Sequence, residues 1–376
     1  MHCVSIGETR ACSTLASQIK EQYHDAYLII STITETGQKE ARRSIPYADC
    51  YFFLPMDFSW TMKKLVRRIK PNLFIQIETD FWYHLLLEVK RNGGQIALAN
   101  GKISERSLKK YLLLKPFAKR IFQLFDLLCV QNTHYVLSFQ KLGVKPNRII
   151  STGNLKFDAK VSHLSEEHKK ELKNQLGINK DDIVITIGST HENEENILID
   201  SFSKIWAFYP NVKIILVPRH PERFAMVRRL LKEKRISFFS YSEANNRYGM
   251  EKVILIDRMG LLNDLYQISL LAIVAGSYVP KVGGHNIFEP IEFGTPVVYG
   301  PFMQQQKSLD AMVEKGGAGK KIALEDLPDF ITEFLESPAL QMTMRKAALK
   351  LRGDAKGSAK RTWEHVRSLM EKTPCK

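Results

Sequence analysis

Cysteine is scarce in this 376-residue chain: Cys3, Cys12, Cys50, Cys129 and Cys375 are scattered, and no two form a CxxC pair. That excludes a zinc ribbon and a disulfide framework, and it suits a reducing, cytosol-facing compartment. Long apolar runs are missing too, since no stretch reaches the roughly 18 residues of a membrane-spanning helix. The opening, Met1-His2-Cys3-Val4-Ser5-Ile6-Gly7-Glu8, has neither the basic nor the apolar region of a signal peptide. It reads instead as the end of a strand running into a turn, as though the chain began late. The nucleotide fingerprints GxGxxG and GxxxxGK[ST] are absent. Acidic residues run short of basic ones, 40 against 55, which leaves a formal net charge of +15. An excess of that size calls for an anionic partner: nucleic acid, an acidic membrane surface, or a phosphorylated or carboxylated substrate.

What is present is globular, with 44% hydrophobic and 25% charged residues over a length suited to two domains. Short β-branched runs alternate with amphipathic helical stretches throughout. Strands are predicted at 27–32, 51–54, 73–77, 96–99, 127–130 and 149–152, then at 183–187, 213–217, 237–241, 253–256, 270–275 and 296–299. Nearly all are continuous apolar runs, the mark of parallel strands covered on both faces. The rhythm is that of α/β doubly wound sheets, two Rossmann-like halves. The polar stretch 158–180, with a helix predicted at 165–176, separates them. The expected domains are therefore 1–157 and 158–376, with the final helix packing back on the first.

In such folds ligands sit beyond the carboxyl ends of the strands, so the strand-exit loops carry the chemistry. After 183–187 come Gly188-Ser189-Thr190-His191-Glu192-Asn193-Glu194-Glu195, small residues then acidic ones at a helix start. Such a loop either offers backbone N–H groups to an anion or simply caps its helix through Ser189 or Thr190. After 213–217 come Pro218, Arg219, His220 and Pro221. An arginine there binds a phosphate through paired hydrogen bonds or joins a surface ion pair, and His220 fits a capping or packing role. After 270–275 runs Gly283-Gly284-His285-Asn286-Ile287-Phe288-Glu289-Pro290. Its glycines admit a ligand close to the backbone at a helix opening, and Glu289 is placed to accept from a ribose diol. In the first half, Glu8 sits at a strand-to-helix turn and Glu78-Thr79-Asp80 follows strand 73–77. A lone acid there is a dipole partner for the helix, whereas two such turns in one half suggest a general base.

Taken in order, Ser-x-Gly-Glu (5–8), Glu-Thr-Asp-Phe-Trp (78–82), Asn-Gly-Lys-Ile-Ser-Glu-Arg-Ser (100–107), Gly-Asn-Leu-Lys-Phe-Asp (153–158), Gly-Ser-Thr-His (188–191), Pro-Arg-His-Pro-Glu-Arg-Phe (218–224) and Gly-Gly-His-Asn-x-x-Glu-Pro (283–290) closely resemble the Kdo transferases. Those enzymes move 3-deoxy-D-manno-octulosonic acid (Kdo) from CMP-Kdo onto a lipid A precursor in lipopolysaccharide core biosynthesis. The resemblance implies a GT-B glycosyltransferase fold, α/β, with two Rossmann-like domains whose parallel sheets face across a cleft. It implies an inverting transfer that uses no cofactor and no metal, at the cytoplasmic face of the inner membrane. By motif, Glu8 matches the catalytic base, and Glu78 and Lys156 match residues that assist the transition state. Pro218, Arg219, the turn Met259-Gly260-Leu261, and Asn286, Ile287, Phe288 and Glu289 match the CMP site, and the loop readings add Ser189, Thr190 and Gly284 to the expected donor-binding residues. This chain departs at Asp80 and Tyr83, where Glu and Pro are expected, and at Gly101-Lys102, where Ala-Arg is expected. Members also carry an apolar N-terminal segment before Ser-x-Gly-Glu, and here the motif starts at residue 5, so the anchor is expected to be missing.

The basic excess concentrates in the expected acceptor half. Lys63, Lys64, Arg67 and Arg68 alternate with Leu65, Val66 and Ile69, and Lys109 and Lys110 lie in a similar stretch with Leu112, Leu113 and Leu114. Each reads as a face for anionic lipid or as an ordinary solvated helix face. A nucleic-acid binder is disfavoured, because the aromatics sit in apolar runs and not along basic strips. The nearer rival is a UDP-sugar transferase or epimerase of the same architecture.

Overall fold

The structure, a computed structural model, describes residues 1–159, 161–246 and 249–371. The chain divides into two compact units, Met1–Lys160 with Ala355–Lys376, and Val161–Asp354. The polar stretch that separates the predicted halves thus contains the crossing point, and the chain returns to the first unit for its last helix.

In the first unit the strands are β1 (Ile29–Thr32), β2 (Cys50–Phe53), β3 (Leu73–Ile77), β4 (Gln95–Gly101), β5 (Leu127–Val130) and β6 (Ile149–Ser151). β3-β4-β5-β6 form a four-stranded parallel sheet and β1-β2 a parallel pair. His2 joins the two by bridging Ser31 on one side and Gln76 on the other. The opening residues are therefore strand-like, and the helix Ile6–Gln22 starts where that strand ends, capped by the Ser5 hydroxyl. Alternate residues of each strand feed opposite cores. Phe74, Leu98 and Leu128 pack with Leu86 and Phe122. On the other face Ile75, Ala97 and Cys129 pack with Leu15 and with Trp363 and Val366 of the final helix, Ser358–Glu371. An apolar cavity of about 290 Å³, lined by Met1, Ile29, Leu73 and Trp363, lies at the amino-terminal ends of these strands, away from the polar loops.

In the second unit the strands are β7 (Ile183–Thr190), β8 (Val212–Pro218), β9 (Phe238–Ser240), β10 (Val253–Leu255), β11 (Leu271–Val274), β12 (Val297–Tyr299) and β13 (Gly319–Lys321). They form one seven-stranded parallel sheet in the order β13-β12-β11-β7-β8-β10-β9. Strand order reverses beside β7, so the switch point lies between the exits of β7 and β11. Both faces are covered: Ile185 and Ile187 pack under Leu198 and Phe202 of the helix Glu194–Phe208, and Val184 and Ile215 pack with Leu265. The predicted strands form. β13 was not expected, because Gly-Lys-Lys carries no apolar signal and is recruited only as an edge beside β12. The four described cysteines form no disulfide, and Cys375 lies outside the described residues.

Candidate active site

Glu8 occupies the first turn of the helix Ile6–Gln22, just past the opening residues that bridge β1 and β3, and is only 6% exposed. Its Oε2 accepts from the Val4 N–H at 2.7 Å. Burial pushes its pKa up, with Glu78 and Asp80 adding to the rise and the Val4 amide and Lys102 opposing it; the result is about 7. A carboxyl so placed changes charge in the neutral range, the condition for a general base.

Glu78 follows β3 and is 3% exposed. Lys102 Nζ lies 2.5 Å from its Oε2, Lys156 Nζ 2.9 Å from its Oε1, and Asn100 Nδ2 donates to it at 3.1 Å. Burial alone would raise its pKa, but the two ammonium groups outweigh that and hold it below the usual carboxylate range. Lys102, standing where the resemblance expects arginine, is thus a direct partner of Glu78. Asn100 was not singled out, yet its Oδ1 also accepts from the Leu155 N–H at 3.0 Å, tying the β4 exit to the Lys156 segment. Glu78, Asp80 and Asn100 all have positive φ, 63°, 62° and 57°. Such strain in three non-glycine residues costs of order 1–3 kcal/mol each and gathers where geometry is imposed for function.

In the second unit the loops after β7 and β11 are held together by a buried acid, Glu194. Its carboxylate accepts from the amides of His191 (3.0 Å), Gly276 (2.7 Å) and Tyr278 (2.9 Å). The amides that an outside anion was expected to use are therefore partly taken by the chain's own carboxylate. Thr190 Oγ1 donates to Glu195, which also takes a paired contact from Arg223. Ser189, with φ 61°, turns the loop at the end of β7. Pro218 ends β8 and is buried, and the exposed Arg219 that follows makes no ion pair among the described residues. Burial raises the pKa of Glu289, opposed by Asn286 and Arg219. Asn286 Nδ2 donates to Glu289 at 3.3 Å. Ile287 and Phe288 are buried, so their side chains belong to the core. Met259 and Gly260 form an exposed turn before the helix Leu262–Gln267, with Leu261 half-buried.

One expectation is corrected here. The helix predicted to open at Gly283-Gly284 is a single turn, Phe288–Ile291, too short to offer a useful dipole. The glycines serve close packing instead. Gly284 has φ 93°, and a Cβ there would sit 2.4 Å from Met303 Sδ. Asn100 and Lys102 lie in a motif that carries the resemblance and Glu194 in a polar strand exit, but nothing local shows their partners, which lie up to 84 residues away.

The basic stretches differ from each other. In the helix Ser59–Ile69, Lys63, Lys64, Arg67 and Arg68 are exposed while Met62 and Val66 are buried, an ordinary amphipathic division. Beside it, exposed Phe58 and Trp60 stack at 6.4 Å. In the helix Glu105–Leu113, which buries no residue, Lys109 and Lys110 are exposed together with Leu112, Leu113 and Leu114. No helix among the described residues is long and apolar enough to cross a membrane.

Residues 1–159 match the family model of 3-deoxy-D-manno-octulosonic-acid transferase (kdotransferase). The 3-deoxy-D-manno-octulosonic acid transferase of Chlamydia trachomatis serovar A is 30% identical over 370 residues, which covers 98% of this chain and 84% of that protein. The Haemophilus influenzae enzyme of the same name is 31% identical over 301 residues, covering 80% and 70%. Among solved structures, the UDP-GlcNAc 2-epimerase of Neisseria meningitidis superposes with a TM-score of 0.67 at 13% identity, covering 98% of both chains. A glycosyltransferase from Rickettsia africae does so at 0.66 and 13%, covering 99% and 96%. The structural likenesses establish a GT-B fold; the sequence identity, sustained along nearly the whole length, places this chain in the 3-deoxy-D-manno-octulosonic acid (Kdo) transferase family of glycosyltransferases.

Proposed function

We propose that this chain transfers Kdo from CMP-Kdo onto a lipid A precursor, with inversion, at the cytoplasmic face of an anionic membrane. The observation that carries the reading is Glu8: a buried carboxyl in the first turn of its helix, poised near neutrality, in a chain of the Kdo transferase family. A sugar hydroxyl is too weakly acidic to attack unaided at neutral pH. In the proposed reaction Glu8 takes the hydroxyl proton as the new bond forms, a contribution on the order of 10²–10⁴ in rate. The donor's anomeric carbon passes through an oxocarbenium-like state as the phosphate departs. Glu78 is positioned by Lys102 and Lys156, and this triad supplies fixed charge to that state. Ser189, Thr190, Pro218, Arg219, the Met259–Leu261 turn, Gly284 and Asn286 to Glu289 are assigned to CMP. Arg219, exposed and without an ion pair among the described residues, suits the phosphate. The reaction as written runs on side chains, so EDTA is expected to leave the rate unchanged.

For the membrane, the support is the exposed Leu112–Leu114 beside Lys109 and Lys110, and the Phe58–Trp60 stack beside the Lys63–Arg68 cations. Aromatic and aliphatic groups next to cations suit an interface of headgroups and acyl chains, at roughly 1 kcal/mol per basic residue.

The test is direct. Incubation with CMP-Kdo and lipid A precursor is expected to give products heavier by one or more Kdo units. Calorimetry is expected to show binding of CMP in preference to UMP. Turnover of a UDP-sugar and none of CMP-Kdo would overturn the reading.

A further inference from the structure

Three imidazoles that the reading above leaves unused meet at the second unit's switch point. His191 follows β7, His220 follows β8, and His285 lies in the loop after β11. His191 Nε2 and His285 Nε2 are 2.6 Å apart, with the ring planes within 15° of each other and their centroids 4.9 Å apart, so the rings meet edge to edge. The ring of His220 meets that of His191 edge-on at 5.3 Å. Nitrogens at that distance share one proton, so one ring donates through Nε2 and the other accepts.

The backbone builds this contact. Gly276, with φ 73°, lies directly against His285, and a Cβ there would sit 2.4 Å from His285 Cδ2. Glu194 fixes the loops on either side by accepting from the amides of His191 and Gly276.

Charges of both signs surround the rings, but the acids are each engaged or set aside. Arg219 leads into His220 and has no ion pair among the described residues, whereas Arg223 is committed to Glu195. Of the acids, Glu194 is engaged by three amides, Glu289 by Asn286, and Glu222 stands 3.9 Å from His220 on the exposed side. Burial, followed by the neighbouring cationic groups, holds His191 below its ordinary pKa and His285 at about 4. The paired rings are thus neutral as they stand. A phosphate placed beside it would reverse that balance, since an anion favours the protonated ring.

We infer that the His191–His285 pair, with His220 and Arg219, is the seat of the donor's phosphate, and that the pair gains a proton as the phosphate binds. This rests on the CMP-Kdo reading. On transfer, the bond from the anomeric carbon to the phosphate oxygen breaks and its electron pair stays on that oxygen. The proton moves from the imidazolium to the same oxygen, and the pair returns to neutrality. The acceptor's own proton goes to Glu8, so the two proton transfers use different groups.

The experiment is calorimetry of the full chain at pH 7.5 with CMP and with cytidine, each in two buffers of unlike ionisation enthalpy. CMP is expected to bind about 10- to 100-fold tighter than cytidine, the range of charge-assisted hydrogen bonds, and to take up protons that cytidine does not. His285→Asn and His191→Asn are each expected to bring CMP affinity most of the way down toward that of cytidine, leaving the share of Arg219 and His220, and to abolish the uptake. Unchanged cytidine affinity shows that the unit is still folded. The exposed His220→Asn, which gives up only its edge-on contact with His191, is expected to weaken CMP several-fold. If wild type binds CMP with no more uptake than cytidine, or if His285→Asn binds CMP as wild type does, the seat is wrong while the donor reading stands. If wild type binds neither ligand, the donor reading falls and the seat falls with it.

Discussion

At the scale of single residues, Glu8 shows how a site is set against the stability of its own fold. Its pKa of about 7 lies above the ordinary 4.5, so between these values the folded chain binds more protons than the unfolded one. Its contribution to stability therefore falls as pH rises through that window, and the full penalty is felt above pH 7. Glu8→Gln is expected to raise unfolding free energy by on the order of 2 kcal/mol at pH 8 and by nothing at pH 4, in denaturant melts. The same variant is expected to lose 10²–10⁴ in turnover, and the wild-type rate is expected to rise with pH around an apparent pKa near 7. Lys102 lowers the Glu8 pKa while it pairs with Glu78. Lys102→Met is therefore expected to move that midpoint upward, a shift that a merely structural lysine would not cause.

At the scale of elements, strand exits do the work of positioning. β3 runs into Glu78 and β4 carries Asn100 next to its last residue, both in left-handed backbone, and Asn100 offsets its strain by bonding Glu78 and the Leu155 amide. Asn100→Ala removes both bonds and keeps the strained φ, so a loss of about 2–4 kcal/mol is expected by thermal unfolding. In the second unit, Gly276→Ala must displace His285 and adopt φ 73°, at a cost of about 1–3 kcal/mol. A CMP titration of this variant is expected to weaken in parallel with His285→Asn.

At the scale of the whole molecule, the return of the chain to its first unit ties the tail to the fold around Glu8. Trp363 and Val366 lie in the same core as Leu15 of the helix that carries Glu8. Asp158 accepts from the amides of Gly357 and Ala359, fixing the start of that last helix. Trp363→Ala is expected to cost about 3–5 kcal/mol in the first unit, seen as a lower melting transition. Net charge acts at the same scale. With +15 on the chain, anionic vesicles are expected to retain it at low salt and release it as ionic strength rises. Arg67→Glu with Arg68→Glu is expected to reduce that retention, and flotation measures it.

The sequence by itself determined the strands, because apolar β-branched runs covered on both faces leave few alternatives, and it marked the polar exits because little else in such a run is polar. It marked Glu8, Glu78 and Arg219 through local motifs. It could not show that two lysines close on Glu78, that Glu194 turns inward to occupy the amides of two loops, or that His191 meets His285. The pairings that cross from one loop to another join residues 24 to 94 positions apart, and their distances depend on where parallel strands end side by side. The one-turn helix after Gly284 and the edge strand β13 were equally beyond local pattern, since both are made by neighbours and not by propensity. Local chemistry names the groups that can react; only the register of the sheets decides which of them meet.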